Sequence, residues 1–243
     1  MKNLIFKSFA ISIVMTLFLT SCSAQNWGKV KGDGNVITEK RSVGDFDELG
    51  VSGSFDVFLV KGKEGDLTIK IEENLLPYLV TEVANGKLKI RWKTGTSINT
   101  RKGVEITVAF ESINAIGLSG SGDIVGKDVI KSDTFEVAVS GSGDMDLELD
   151  VQKMEAAVSG SGDMDLKGTA TNFEAAVAGS GDIDGVNLKT EKASLRVSGS
   201  GGITITVLNE LDAKVSGSGS VKYKGKPSLE DVKVSGSGTV STY

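Results

Sequence analysis

The chain has 243 residues, is 39% hydrophobic, and carries a net charge of -5 with no histidine and one cysteine. Its charge balance excludes a surface of basic runs for nucleic acid, the lone cysteine excludes an internal disulfide, and the missing histidine removes the commonest general base and metal ligand. The length suits one elongated domain.

At the N-terminus, Lys2 and Lys7 precede an apolar stretch from Phe9 to Leu19. It is too short for a spanning helix and reads as a signal peptide over residues 1–21. The stretch closes on Leu19-Thr20-Ser21-Cys22, which resembles the bacterial lipobox, where a peptidase cuts before the cysteine and the cysteine becomes lipidated. Cys22 is therefore the expected lipidation site and the membrane the expected partner through it. Residues 22–40 are expected to be the lipidated cysteine and a polar, glycine-containing tether.

A domain then runs over 41–243, its first part (51–118) irregular. Val51-Ser52-Gly53-Ser54-Phe55-Asp56-Val57 is a degenerate copy of a motif that returns only at residue 119. Between them lie strand-like runs, Phe55 to Val60, Leu67 to Ile71, Leu88 to Trp92 and Val104 to Phe110, with Asn85-Gly86 as a hairpin turn. Asn74 to Val80 is the one helix candidate, with Asn74 as N-cap and Pro77 in the first turn. A stack of coils needs its first edge covered, so this segment is expected to form a cap or flanking lobe.

From residue 119 the tetrapeptide Ser-Gly-Ser-Gly recurs at 119, 140, 159, 178 (as Ala-Gly-Ser-Gly), 198, 216 and 235, a period of about 19 residues. Each copy follows an alternating run such as Phe135-Glu136-Val137-Ala138-Val139 or Met154-Glu155-Ala156-Ala157-Val158, the period-two pattern of a strand with one buried face. After the glycines the alternation resumes with Met145, Met164, Ile183 and Ile203 inward. No 3.6-residue period is present, and the runs are broken by paired glycines. The reading is all-β, a parallel β-helix in which equivalent side chains pile up coil on coil, with a short-helix and strand insertion near its start.

Stacking aligns two columns of aspartates: Asp123, Asp144, Asp163 and Asp182 directly after the turn, and Asp146, Asp165 and Asp184 two residues on. Like charges about 4.8 Å apart repel, so the columns favour a bound cation, for which oxygen-only calcium is the natural choice, or relief from Lys127, Lys153 and Lys167. The spacing does not reproduce the glycine-rich nonapeptide of calcium-binding β-rolls, and apart from this calcium no cofactor is expected. Catalysis needs a differentiated environment, whereas these carboxylates recur almost unchanged. Trp92, Phe135 and Phe173 read as core. The last copy leaves a coil without a cap, which points to self-association end to end or through the flat sides.

Gly34-Asn35-Val36, Arg41-x-Val43-x-x-Phe46, Val51-Ser52-Gly53-Ser54-Phe55-Asp56-Val57, Glu73-Asn74-Leu75-Leu76-Pro77 and the Ser-Gly-Ser-Gly-Asp repeats together resemble the head GIN domain family of auto-transporter adhesins, over roughly residues 30 to 243. The resemblance implies a right-handed single-stranded β-helix, in outer-membrane lipoproteins of Gram-negative bacteria, with no established catalytic residues. The expected function is a non-catalytic envelope lipoprotein acting in adhesion, binding or scaffolding, with a glycan or protein as ligand. The alternatives are a glycan-active enzyme on a β-helix and a calcium-dependent binding module using the aspartate columns.

Overall fold

A computed structural model describes residues 28–243; the expected signal peptide, Cys22, Trp27 and the first part of the expected tether lie outside the described residues. In chain order come β1 (Gly28–Lys31), β2 (Val36–Ser42), β3 (Glu48–Gly53), β4 (Asp56–Lys61), β5 (Asp66–Glu72), a 3-10 helix (Glu73–Tyr78), β6 (Leu79–Ala84), β7 (Lys87–Trp92), β8 (Thr96–Asn99) and β9 (Glu105–Phe110). The regular part follows as β10 (Ala115–Gly120), β11 (Ile124–Gly126), β12 (Ile130–Gly141), β13 (Met145–Gly160), β14 (Met164–Gly179), β15 (Ile183–Gly199), β16 (Gly202–Gly217), β17 (Ser220–Lys224), β18 (Leu229–Gly236) and β19 (Thr239–Thr242).

The repeats stack in parallel and in phase. Ser119 pairs with Ser140, Ser140 with Ser159, Ser159 with Ala178, Ala178 with Ser198, Ser198 with Ser216 and Ser216 with Ser235. The alternating runs therefore place the same residue type at the same height of every coil. Phe135, Met154, Phe173, Ala193 and Leu211 form one buried column and Val139, Val158, Val177, Val197 and Val215 another. Each large member removed from water contributes about 1.5–3 kcal/mol, and repetition along the axis makes the core continuous. Scatter in repeat length is absorbed away from the glycines: the register shifts between Gly185 and Lys189, while Ser198 still meets Ser216.

The two glycines of each corner do different work. The first has positive φ, +130° at Gly141 and +127° at Gly160, which L side chains avoid. Its carbonyl accepts two successive N–H groups from the coil above, as Gly141 O does from Ser161 (2.8 Å) and Gly162 (3.1 Å). The second lies against the glycine beneath it: a Cβ on Gly162 would sit 2.1 Å from Gly143 O. The corner is thus closed to any side chain by backbone contact between coils.

The N-terminal part caps the stack, but by a route the sequence reading does not contain. β3 carries the degenerate copy and pairs in register with β10, Ser52 against Ser119, so this copy is the first coil. The chain then leaves to build a further coil on the outer side. β7 pairs parallel with β3 and β9 parallel with β4, before β10 returns to the inner side. Antiparallel strands close that outer coil, β5 on β9 and β2, and β6 on β7 through the Asn85-Gly86 turn. Asn85 and Gly86 both have positive φ, 55° and 74°, as a tight hairpin requires.

Two expectations are corrected here. Residues 28–40, expected as part of the tether, form β1 and most of β2, because β1 finds a partner in β8 and β2 one in β5. The helix is a 3-10 turn with Pro77 inside it, and Asn74 does not cap it. The Asn74 side chain instead donates to Lys31 O (2.8 Å) and accepts from Asp33 N (3.2 Å), tying the turn to the end of β1. Beside it the buried carboxylate of Glu72 accepts the backbone N–H of Gly34 (2.7 Å) and of Arg101 (2.8 Å). These bonds make the Glu72-to-Pro77 segment the knot of the cap.

At the far end, β18 and β19 form the last described coil, and Leu229, Val232 and Val234 are exposed. Glu230 aligns with the buried Leu211, putting a charge in a column that is apolar elsewhere, where the Tyr223 hydroxyl donates to it at 3.2 Å. An inward charge on an edge strand is a device against edge-to-edge pairing.

Candidate binding faces

Both aspartate columns are present on one outer face, and the first is used structurally. Asp144, Asp163, Asp182 and Gly202 each donate a backbone N–H to the aspartate carboxylate one coil below, Asp123, Asp144, Asp163 and Asp182 respectively, at 3.2, 2.8, 2.8 and 2.5 Å. In the second column Lys167 bridges Asp146 (3.0 Å) and Asp165 (3.6 Å), and Asp184 accepts the N–H of Val186 at 3.0 Å. Its two carboxylates, with Asp146 first, hold the Lys167 ammonium above the usual lysine range. Among the described residues no three acidic, histidine or cysteine side chains gather as a metal-holding group. The site residues proposed for calcium are therefore brought into columns and not into a cage.

The other counter-charges lie elsewhere. Lys127 sits over the ring of Phe58 at 4.9 Å, and Lys153 pairs with Glu155 at 2.6 Å on a different face. The sequence reading also leaves out the first member of the column: Asp56, whose neighbour Val57 pairs with Ile124, stands one coil below Asp123. Burial, with Asp123 and Glu105 on either side, holds its carboxyl above the ordinary range. The amide that relieves the carboxylates above it is taken up elsewhere here, because Asp123 N bonds to Phe55 O (3.0 Å).

At the upper rungs of the two columns the face opens into a polar hollow of about 430 Å³, walled by Asp163, Asp165, Asp182, Asp184, Thr204 and Lys222. Carboxylates, a hydroxyl and an ammonium follow one another there at coil spacing, Asp165, Asp184, Thr204 and Lys222 in turn. The arrangement can accept and donate hydrogen bonds to a hydroxyl-rich chain lying along the stack.

A second face, missed at the sequence level, is formed by the outward positions before each glycine corner. One column reads Glu48, Ala115, Glu136, Glu155, Glu174, Ser194, Asp212 and Asp231; the next reads Gly50, Gly117, Ala138, Ala157, Ala176, Arg196, Lys214 and Lys233. The small residues floor a groove of about 380 Å³ walled by the glutamates, and it continues past Ala176 and Arg196 into a hollow of about 450 Å³ among the cations. The signal was present in the second and fourth places of each alternating run. Trp92 packs on Phe55 with ring centroids 4.9 Å apart, and Phe135 and Phe173 are buried, so these aromatics belong to the core.

The fold and its faces define a stacked single-chain β-helix of the binding-surface type. Residues 45–227 match the family described as "Putative auto-transporter adhesin, head GIN domain", and the chain belongs to that family. Among solved structures it is similar to a "putative adhesin" from Bacteroides fragilis (25% identity, TM-score 0.82, 88% of this chain and 100% of that one). It is also similar to a "Putative lipid binding protein" from Parabacteroides distasonis (28%, TM-score 0.74, 88% and 99%) and to a "putative adhesin" from the same species (26%, TM-score 0.73, 88% and 100%). These solved chains are covered along essentially their whole length. Among curated proteins, no sequence matches this chain.

Proposed function

We propose that this protein is a non-catalytic envelope lipoprotein that binds a hydroxyl-rich polymer, a glycan, along its aspartate face. The observation that carries the reading is the hollow between Asp163, Asp165, Asp182, Asp184, Thr204 and Lys222, where hydrogen-bonding groups repeat at coil spacing. A linear ligand laid along the axis meets a hydrogen-bonding side chain at each rung, carboxylates at Asp165 and Asp184, then the Thr204 hydroxyl and the Lys222 ammonium, which favours retention through many weak contacts. Family membership and neighbours named as adhesins support a binding role, and Cys22 with its preceding apolar stretch supports lipid anchoring at the outer membrane.

Turnover is disfavoured because the carboxylates are near-copies of one another. Those of the first column are also committed to the backbone of the next coil. The calcium alternative loses ground to the same bonds. A neighbour named as lipid binding supplies a competing ligand class, which the test includes.

The test is a microarray of plant, bacterial and mammalian glycans, with phosphatidylethanolamine–phosphatidylglycerol vesicles as a parallel probe. Residues 28–243 should be retained on a subset of polysaccharides and not on vesicles. The Asp165→Asn/Lys222→Ala variant should lose that retention while keeping its circular dichroism spectrum. Retention indifferent to the variant, or confined to vesicles, would contradict the reading.

A further inference from the structure

The column of Gly50, Gly117, Ala138, Ala157, Ala176, Arg196, Lys214 and Lys233 is divided into two halves of opposite shape. On the lower rungs it is a floor of hydrogens and methyl groups beside Glu136, Glu155 and Glu174; on the upper rungs it is a ridge of three long cations. The groove and the hollow that flank these halves meet at Ala176 and Arg196. The cations are only weakly engaged. Lys233 pairs with Asp231 (2.9 Å) in an exposed contact of little strength, Lys214 with the half-buried Asp212 (2.8 Å), and Arg196 has no carboxylate within 4.0 Å among the described residues.

We propose that two copies of this chain pack antiparallel through this face, about a two-fold axis that runs along the strands between the rungs of Ala176 and Arg196. Such an axis sets each column against itself and reverses the order of rungs. Arg196 then falls opposite Ala176 of the second copy, Lys214 opposite Ala157 and Lys233 opposite Ala138. Each cation lies over a small floor residue beside Glu174, Glu155 or Glu136. A two-fold interface must be self-complementary, and this one is so in shape, with each cation of the ridge set beside a glutamate of the second copy.

The competing arrangements fail on the same residues. A two-fold along the stack would set Arg196 on Arg196 and Lys214 on Lys214, and pairing end to end would bring Glu230 of each copy toward an apolar column. The acidic column faces itself in the antiparallel dimer, Glu155 near Asp212 of the second copy. The cations paired with that column, Lys153 on Glu155, Lys214 on Asp212 and Lys233 on Asp231, offset part of that charge. The footprint, six rungs by about five residues, is roughly 29 Å by 17 Å, which belongs to the small and transient class of interface.

Sedimentation equilibrium of residues 28–243, up to about 500 µM and in low salt and about 1 M salt, tests the proposal. A concentration-dependent dimer that weakens in salt is expected. Arg196→Glu, an exposed position counted twice by the symmetry, should raise the dissociation constant about tenfold or more, and adding Glu174→Arg should restore association. Glu230→Leu should leave this dimer intact and add larger species. A monomer throughout the low-salt range, a dimer indifferent to Arg196→Glu, or a charge swap that fails to rescue would overturn it.

Discussion

Asp182 donates its backbone N–H to the carboxylate of Asp163 one coil below, at 2.8 Å, and Asp163 does the same to Asp144 at the same distance. A column that looks at first like stacked repulsion is thereby a row of clasps between coils. Each carboxylate supplies the acceptor that the turning backbone cannot. Removing one clasp should cost about 1 kcal/mol, the usual net worth of such a bond. Asp163→Ala should therefore lower the urea midpoint, while Asp165→Ala, whose carboxylate touches only Lys167, should stay within about 0.5 kcal/mol of the parent.

Two glycine substitutions separate conformational strain from steric closure. Gly86→Ala meets open space and bears only the cost of positive φ, about 1 kcal/mol. Gly162→Ala drives a methyl group to 2.1 Å from Gly143 O, a backbone atom that cannot swing away. The coils must part, and a loss of about 3 kcal/mol or more is expected. Thermal melts of both variants check the contrast.

The lowest member of the aspartate column should behave differently with pH. The Asp56 carboxyl is held above its ordinary 3.8 by burial and by Asp123 and Glu105. A carboxyl raised in the folded state contributes stability that is complete below its unfolded value and lost as pH rises through the folded one. Asp56→Asn should thus be more stable than the parent at pH 7, a difference that solvent screening keeps small and that should vanish once the pH falls below the ordinary carboxylate range. Denaturation midpoints across that range report it.

Glu72 offers a test of the cap. Glu72→Ala leaves the N–H groups of Gly34 and Arg101 without their acceptor, at about 1–3 kcal/mol each. Hydrogen exchange should quicken at those two amides and along β1 and β8, while the middle coils around Val158 stay protected. Glu72→Gln keeps an acceptor and should be milder. Uniform quickening through the stack would show that the cap does not open on its own.

The stack was legible because repetition converts sequence phase directly into spatial register: Met145, Met164 and Ile183 share one height and are all buried. The cap was less so, since β7 and β9 join the stack out of chain order, and no local signal says that residue 87 will lie beside residue 48. Asn74 carried a correct signal for a short helix, but its side chain is claimed by Lys31 and Asp33, 43 and 41 residues away. The aspartate columns were found and their backbone role was not, because carboxylate-to-amide clasps depend on how the corner turns. The Glu136 and Ala138 columns are visible in the alternation, but an outward position carries no burial signal that marks it as a binding face.

The central claim, that the aspartate face holds a glycan and does not cut it, is met most directly by size analysis. A polysaccharide retained on the array is incubated with residues 28–243, and its chain-length distribution is followed by size-exclusion chromatography and mass spectrometry. The account predicts a bound polymer of unchanged length. Shortened chains that disappear in an Asp165→Asn/Asp184→Asn variant would contradict it and make the same face an active site.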